Sequence, residues 1–118
     1  NALSPCPSTP NCVSTTETNE SKRVDPLVYK GSTEDAIAKL RKVIESLPRV
    51  TKVGEDDGEM HYTIKSKLMG FVDDLFVKVD TKENLIHLRS SSRTGYGDWG
   101  VNRKRVEEIR RLFGEGNG

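Results

Sequence analysis

The chain has 118 residues, of which 31% are charged, and its 19 lysines and arginines nearly balance its 18 aspartates and glutamates. A net charge of +1 excludes a polycation that grips nucleic acid by bulk charge, and it excludes an acidic disordered tail. No apolar run approaches the roughly 18 residues of a membrane-spanning helix, so we predict one small soluble domain without a nucleic-acid partner.

The first 26 residues are poor in apolar side chains and contain four of the chain's five prolines. Such a segment cannot build a core of its own, so we predict an extended arm over residues 1–26 and a single folded domain over residues 27–118. The chain begins at Asn1 and not at a methionine. We therefore expect a processed or trimmed product, in which any targeting segment would have preceded Asn1. A missing N-terminal segment of this kind could associate the protein with a membrane surface.

The arm holds both cysteines of the chain, Cys6 and Cys12, with five residues between them. Two thiols without a neighbouring histidine are too few ligands for a structural zinc site, so we expect no metal. A local disulfide is the preferred interpretation, and a pair of free thiols is the alternative. A disulfide would favour an oxidising compartment.

The folded part begins with apolar residues at helical spacing between Ser32, a candidate N-cap, and Pro48, which predicts an amphipathic helix. The period changes to two from Val50 to Ser90, where short turns divide the stretch into four predicted antiparallel strands. A second helix is predicted over residues 101–113. The predicted fold is therefore α+β: a four-stranded antiparallel sheet with two helices packed on one face, in the order α-β-β-β-β-α.

Positive charge is concentrated in residues 89–113, which carry seven basic and three acidic side chains. Arginines flank a glycine-rich loop that leads into a helix, and both guanidinium groups and helix-end amides donate to carboxylate, phosphate or sulfate. The candidate anion-binding residues are Arg89, Ser91, Arg93, Gly95, Gly97, Arg103 and Arg105. The competing interpretation, which we favour, is a structural ion-pair network in which Asp73, Asp74 and Asp98 neutralise these arginines.

Two adjacent carboxylates, Asp73 and Asp74, stand at the start of an apolar strand, where an unpaired charge is costly. Neighbouring strand residues point to opposite faces of a sheet, so these two do not form an acid/base dyad that shares a proton. We expect at least one of them to accept hydrogen bonds from an arginine of residues 89–105.

Three further side chains are candidates for either a functional or a purely structural role. His61 and His87 are each isolated on a polar strand position, and we expect plain surface histidines. Trp99 is expected to plug the core beside the glycine-rich loop, and a stacking platform is the alternative.

Four stretches of the sequence resemble the DUF1499 family, a domain of unknown function. They are C-P-S-T-P-N-C-V-S-T at 6–15, D-P-L at 25–27, G-F-V-D-D at 70–74 and R-S-S-S-R-T-G-Y-G-D-W-G-V-N-R-K-R at 89–105. The resemblance implies a bacterial exported or membrane-anchored protein, or a plastid relative, and it implies no catalytic residue. Relatives commonly have serine where Gly97 stands in this chain.

Two function classes follow from these observations. The first is a non-enzymatic extracytoplasmic module that binds an anionic small molecule, a lipid headgroup or a protein partner. The second is a hydrolase-like enzyme that uses Asp73 or Asp74 with Arg89 and Arg93, which needs a carboxylate of raised pKa facing a cleft. We favour the binding module, with no cofactor, and expect it in the cell envelope, the periplasm, the secreted fraction or the plastid lumen.

Overall fold

The computed structural model describes residues 3–67, 70–95 and 97–116, and in these residues the chain has an α+β fold. Two helices and six strands form along the described chain. They are β1 (Cys12–Ser14), β2 (Leu27–Val28), α1 (Thr33–Glu45), β3 (Val50–Asp56), β4 (Glu59–Lys65), β5 (Val72–Asp80), β6 (Leu85–Ser92) and α2 (Val101–Gly116).

The strands form one antiparallel sheet in the order β1-β6-β5-β4-β3, and β2 also pairs with β6. The predicted α+β class is confirmed, but the prediction of a four-stranded sheet is wrong because the described sheet has six strands. The two additional strands are three and two residues long, too short to show a period of two in the sequence. They join the sheet through backbone pairing with β6, where Cys12 lies opposite Ser91 and Leu27 lies opposite Ile86.

The two faces of the sheet differ in what covers them. On the inner face, Tyr62 and Leu75 lie opposite each other and share one hydrophobic cluster with Leu40 and Ile44 of α1 and with Ile109 of α2. The two helices contact each other as well as the sheet, so both cover this face. The other face, here called the outer face, carries the alternate residues of the same strands, and these are mostly polar.

The arm, residues 3–26, runs beside β6 and contributes to the core of the domain. Val13 and Val24 are buried in the same hydrophobic cluster as the helices. The predicted disulfide is confirmed, with the Cα atoms of Cys6 and Cys12 5.8 Å apart. Among the described residues, no helix has the length and apolar character needed to cross a membrane.

Candidate functional site

The adjacent carboxylates lie on opposite faces of the sheet and bind different arginines. Asp73, on the inner face, forms an ion pair with Arg105 at 2.9 Å, and the side chains are only 11% and 12% exposed. Asp74, on the outer face, accepts two hydrogen bonds from Arg93, at 2.8 Å from Nε and 3.0 Å from Nη2. Both carboxylates are therefore engaged by arginines of residues 89–105.

Asp74 is also the centre of a small polar cluster on the outer face. His61 Nε2 lies 2.7 Å from Asp74 Oδ1, and the imidazole stacks on Phe76 with 4.2 Å between ring centroids. Burial alone would raise the pKa of Asp74, but the hydrogen bonds from Arg93 and His61 outweigh burial and the pKa is lowered. A carboxylate in this setting stays ionised at neutral pH.

The expectation of plain surface histidines is wrong. His61 contacts Asp74 and Phe76, and His87 Nδ1 lies 2.9 Å from the hydroxyl of Thr15 in the arm. The alternation in each strand does place these histidines on the polar face. Their hydrogen-bond and stacking partners depend on the register in which the strands pair, and the positions of the histidines in the sequence do not reveal that register.

A buried hydrogen-bond network continues from Arg105 on the inner face. Arg105 Nη1 donates to Ser90 Oγ at 3.1 Å and to Asn102 Oδ1 at 2.8 Å. Asn102 is fully buried, and its Nδ2 donates to the backbone oxygen of Asn11 at 3.2 Å and to Asp98 Oδ2 at 2.7 Å. Asn102 is not among the residues predicted from the sequence, although a lone asparagine in the first turn of an amphipathic helix is a signal for such a role.

Asp98 occupies the N-terminus of α2. Its carboxylate accepts hydrogen bonds from the backbone amides of Gly100 at 2.8 Å and Asn102 at 3.1 Å. Burial would raise its pKa, but the hydrogen bonds from Asn102 and Gly100 outweigh burial and lower it. The carboxylate of Asp98 therefore already accepts hydrogen bonds from helix-end amides that the sequence predicts as donors to an external anion.

Arg89 and Arg103 bind the arm through uncharged oxygens. Arg89 donates to the carbonyl of Ser4 at 2.8 Å, to that of Pro5 at 3.3 Å and to Ser91 Oγ at 3.0 Å. Burial lowers the pKa of Arg89.

Arg103 donates to the carbonyls of Arg23 at 3.1 Å and Ser21 at 3.0 Å. In the described chain, neither Arg89 nor Arg103 forms an ion pair with a carboxylate. Their charges are therefore not neutralised by direct pairing.

Arg103 also lines a surface groove between the arm and the loop that precedes α2. This groove, called the Arg103 groove below, has a volume of about 290 Å³. Its lining residues are Pro10, Val13, Ser21, Gly97, Asp98, Trp99, Gly100 and Arg103. The expectation that Trp99 plugs the core is wrong, since the residue is 96% exposed.

The candidate anion-binding residues therefore do not converge on one point. Gly97 and Arg103 meet in the Arg103 groove, while Arg105 belongs to the buried inner network. Arg93 lies on the outer face with Asp74, and Gly95 uses its carbonyl oxygen to accept a hydrogen bond from Asn11 Nδ2 at 2.7 Å. Ser91 accepts from Arg89 on the outer face.

The part of the chain that the structure describes contains no group of three or more metal-ligating side chains. No curated protein matches the sequence. The sequence model of the family described as "Protein of unknown function (DUF1499)" matches residues 2–113, nearly the whole length of the chain. The chain belongs to the DUF1499 family.

Proposed function

We propose that this chain is a non-enzymatic, extracytoplasmic module that binds an anionic ligand in the Arg103 groove. The ligand carries phosphate or carboxylate, as a free small molecule, a lipid headgroup or a side chain of a partner protein. The observation that carries the proposal is the positive charge of Arg103, which has only carbonyl partners in the described chain and lines the groove beside the exposed ring of Trp99.

The state of the carboxylates supports binding over hydrolysis. A hydrolase-like mechanism needs a carboxylate of raised pKa that faces a space for substrate. Asp73 pairs with a buried arginine, and the pKa of Asp74 is lowered by its two partners. Arg89 and Arg93, the other members of the enzymatic alternative, are bound to the arm and to Asp74.

The disulfide supports the extracytoplasmic assignment. Cys6 and Cys12 are bonded, and such bonds persist in oxidising compartments. The bond closes the arm next to the segment that Arg89 holds through Ser4 and Pro5. It therefore helps to fix the arm that forms one wall of the Arg103 groove.

Titration with inorganic phosphate, sulfate and glycerol 3-phosphate, followed by backbone amide chemical shifts, tests the proposal. We expect saturable shifts at Gly97, Gly100 and Arg103 at millimolar ligand, weakened by added salt because partly exposed charges are screened within about 8–10 Å. Arg103→Gln should weaken binding by about tenfold, since it removes a charged donor. Arg93→Gln, which removes an exposed arginine outside the groove, should leave the affinity unchanged. Shifts that are absent, or that Arg103→Gln does not weaken, would overturn the proposal.

A further inference from the structure

We propose that one end of the sheet is a docking surface for an anionic lipid bilayer. This end, called the basic end, is where β4 and β6 finish and where β3, β5 and α2 begin. The inference goes beyond the Arg103 groove, because it concerns protruding side chains on several connections and not a pocket for a single anion.

Exposed apolar side chains protrude at the basic end. Phe71 is 54% exposed, Trp99 is 96% exposed and Val101 is 43% exposed. Phe71 stands directly before β5, while Trp99 and Val101 follow β6. The amide of Arg93 donates to the carbonyl of Val72 at 3.0 Å, so the start of β5 and the exit from β6 lie side by side.

Trp99 combines an almost fully exposed ring with a backbone conformation of high energy. Its φ is 57°, in the left-handed region that bulky residues rarely adopt. The following residue, Gly100, also has a positive φ of 77°. Strained backbone of this kind persists where the surrounding structure enforces it, and here it presents an amphipathic indole to the surroundings.

Basic side chains lie at the same end of the sheet as these apolar groups. Arg49 Nε donates to the carbonyl of Lys65 at 2.9 Å, which places Arg49 and the end of β4 together at the basic end. Lys67 follows two residues later, and all three side chains are exposed. In the described chain none of the three forms an ion pair.

The charge of the connections reverses from one end of the sheet to the other. Counted with the strand residues that flank them, the connections of the basic end carry Arg49, Lys65, Lys67 and Arg93 against Asp98, and Arg93 also pairs with Asp74. Counted in the same way, those of the opposite end carry Asp56, Asp57, Glu59, Asp80 and Glu83 against Lys30 and Lys82. A nearly neutral molecule is therefore polarised along its strands. A negatively charged surface would attract the basic end and repel the opposite one.

The combination of side chains favours a bilayer as the occupant. Tryptophan and phenylalanine partition to the level of lipid headgroups, and lysine and arginine stay in water beside them and attract anionic lipids. Each cation near an anionic membrane strengthens partitioning by about fivefold. Phe71 lies in the connection before β5, while Trp99 and Val101 lie where the chain enters α2. Exposed apolar side chains on two neighbouring connections suit shallow insertion into a soft surface.

The chain contains one tryptophan, so the fluorescence of Trp99 reports directly on insertion. The probe is a set of vesicles of phosphatidylcholine alone and of phosphatidylcholine with 30% phosphatidylglycerol. We expect a blue-shifted emission and co-sedimentation with the anionic vesicles only, and both effects should fade as salt is raised. An emission that stays at its aqueous wavelength with anionic vesicles would overturn the proposal and leave the basic end to a protein partner.

Matched variants separate the basic end from nonspecific attraction. Lys65→Glu with Lys67→Glu should weaken partitioning by more than tenfold, while Lys82→Glu at the opposite end should change it little. Phe71→Ser should weaken it several-fold, while Val53→Ser removes an apolar side chain of similar exposure, 56%, from the middle of β3 and should not. Equal effects within either pair would overturn the proposal.

Anion binding in the Arg103 groove and docking on a bilayer can be tested independently of each other. Arg103→Gln should weaken binding of inorganic phosphate by about tenfold, yet it should leave vesicle partitioning within about fivefold of the original chain. If vesicle partitioning falls by about tenfold or more in this one variant, with the fold intact by amide spectra, docking by the protruding side chains is overturned.

Discussion

The two adjacent aspartates allow one substitution to be compared at two sites that differ in burial. Asp73 and its partner Arg105 have side chains that are 11% and 12% exposed, whereas Arg93, the partner of Asp74, is 51% exposed. In Asp73→Asn, the charge of Arg105 stays buried without a counter-charge. Removing one partner of a buried pair costs about 3–5 kcal/mol, so we expect a loss of about 3 kcal/mol in the free energy of unfolding.

Asp74→Asn should cost much less, because water can solvate the guanidinium of Arg93 once its counter-charge is gone. Exposed pairs contribute about 1 kcal/mol or less, and the His61 contact brings the expected loss to about 1 kcal/mol. For a domain of this size the two losses correspond to a lowering of the melting temperature by about 12 °C and about 4 °C.

Urea denaturation of the three proteins at neutral pH measures both losses directly. The expected difference between the variants is about 2 kcal/mol, roughly 30-fold in the folding equilibrium constant. Equal losses, or a larger loss for Asp74→Asn, would contradict the assignment of Asp73 to the buried network. A double Asp73→Asn, Asp74→Asn variant as stable as the original chain would refute the structural role of both carboxylates.

Two further predictions concern the disulfide and acid stability. Replacement of Cys6 and Cys12 by serine should lower the free energy of unfolding by about 2 kcal/mol, because the unfolded chain regains the entropy of a short loop. Urea denaturation with and without reductant measures this, and a reductant effect on the serine variant would contradict it. The pKa of Glu55 is lowered to about 2, chiefly by the hydrogen bond from Arg41. The pair therefore stabilises the fold fully above the ordinary pKa of glutamate, and this stabilisation is lost as the pH falls toward about 2. Arg41→Gln should therefore lower the free energy of unfolding by about 1 kcal/mol at neutral pH and by almost nothing at the acid limit. Thermal unfolding of both proteins across this pH range measures the difference, and a difference that does not change with pH would contradict the prediction.

The helices and the long strands could be predicted because burial imposes a period on the sequence. Ser32 is the N-cap of α1, and its hydroxyl accepts a hydrogen bond from the amide of Asp35 at 3.0 Å. Alternating burial in β4, β5 and β6 matches the alternation of apolar and polar residues that the sequence displays. These features are local, so a few residues suffice to specify them.

The arm strands and the outward tryptophan could not be predicted from local pattern. β1 and β2 are held by backbone pairing with β6, more than fifty residues further along the chain, and they are too short for periodicity. Trp99 is a large aromatic residue of a type that is usually buried, but its side chain is 96% exposed and its backbone has a φ of 57°. The pairing of β1 and β2 depends on contacts between distant segments, which composition and spacing do not reveal.

The long motif at residues 89–105 contains side chains that are bound within the protein and side chains that remain exposed. Arg89 and Arg93 hold the arm and Asp74 on the outer face, while Arg105 holds Asp73 and Asn102 on the inner face. Strand alternation explains the division, since neighbouring strand residues face opposite sides of the sheet. These side chains have fixed partners within the protein, whereas Trp99 projects almost fully into solvent. A functional test of the motif should therefore begin at Trp99 and the charges beside it, because changes at the paired arginines would first report on folding.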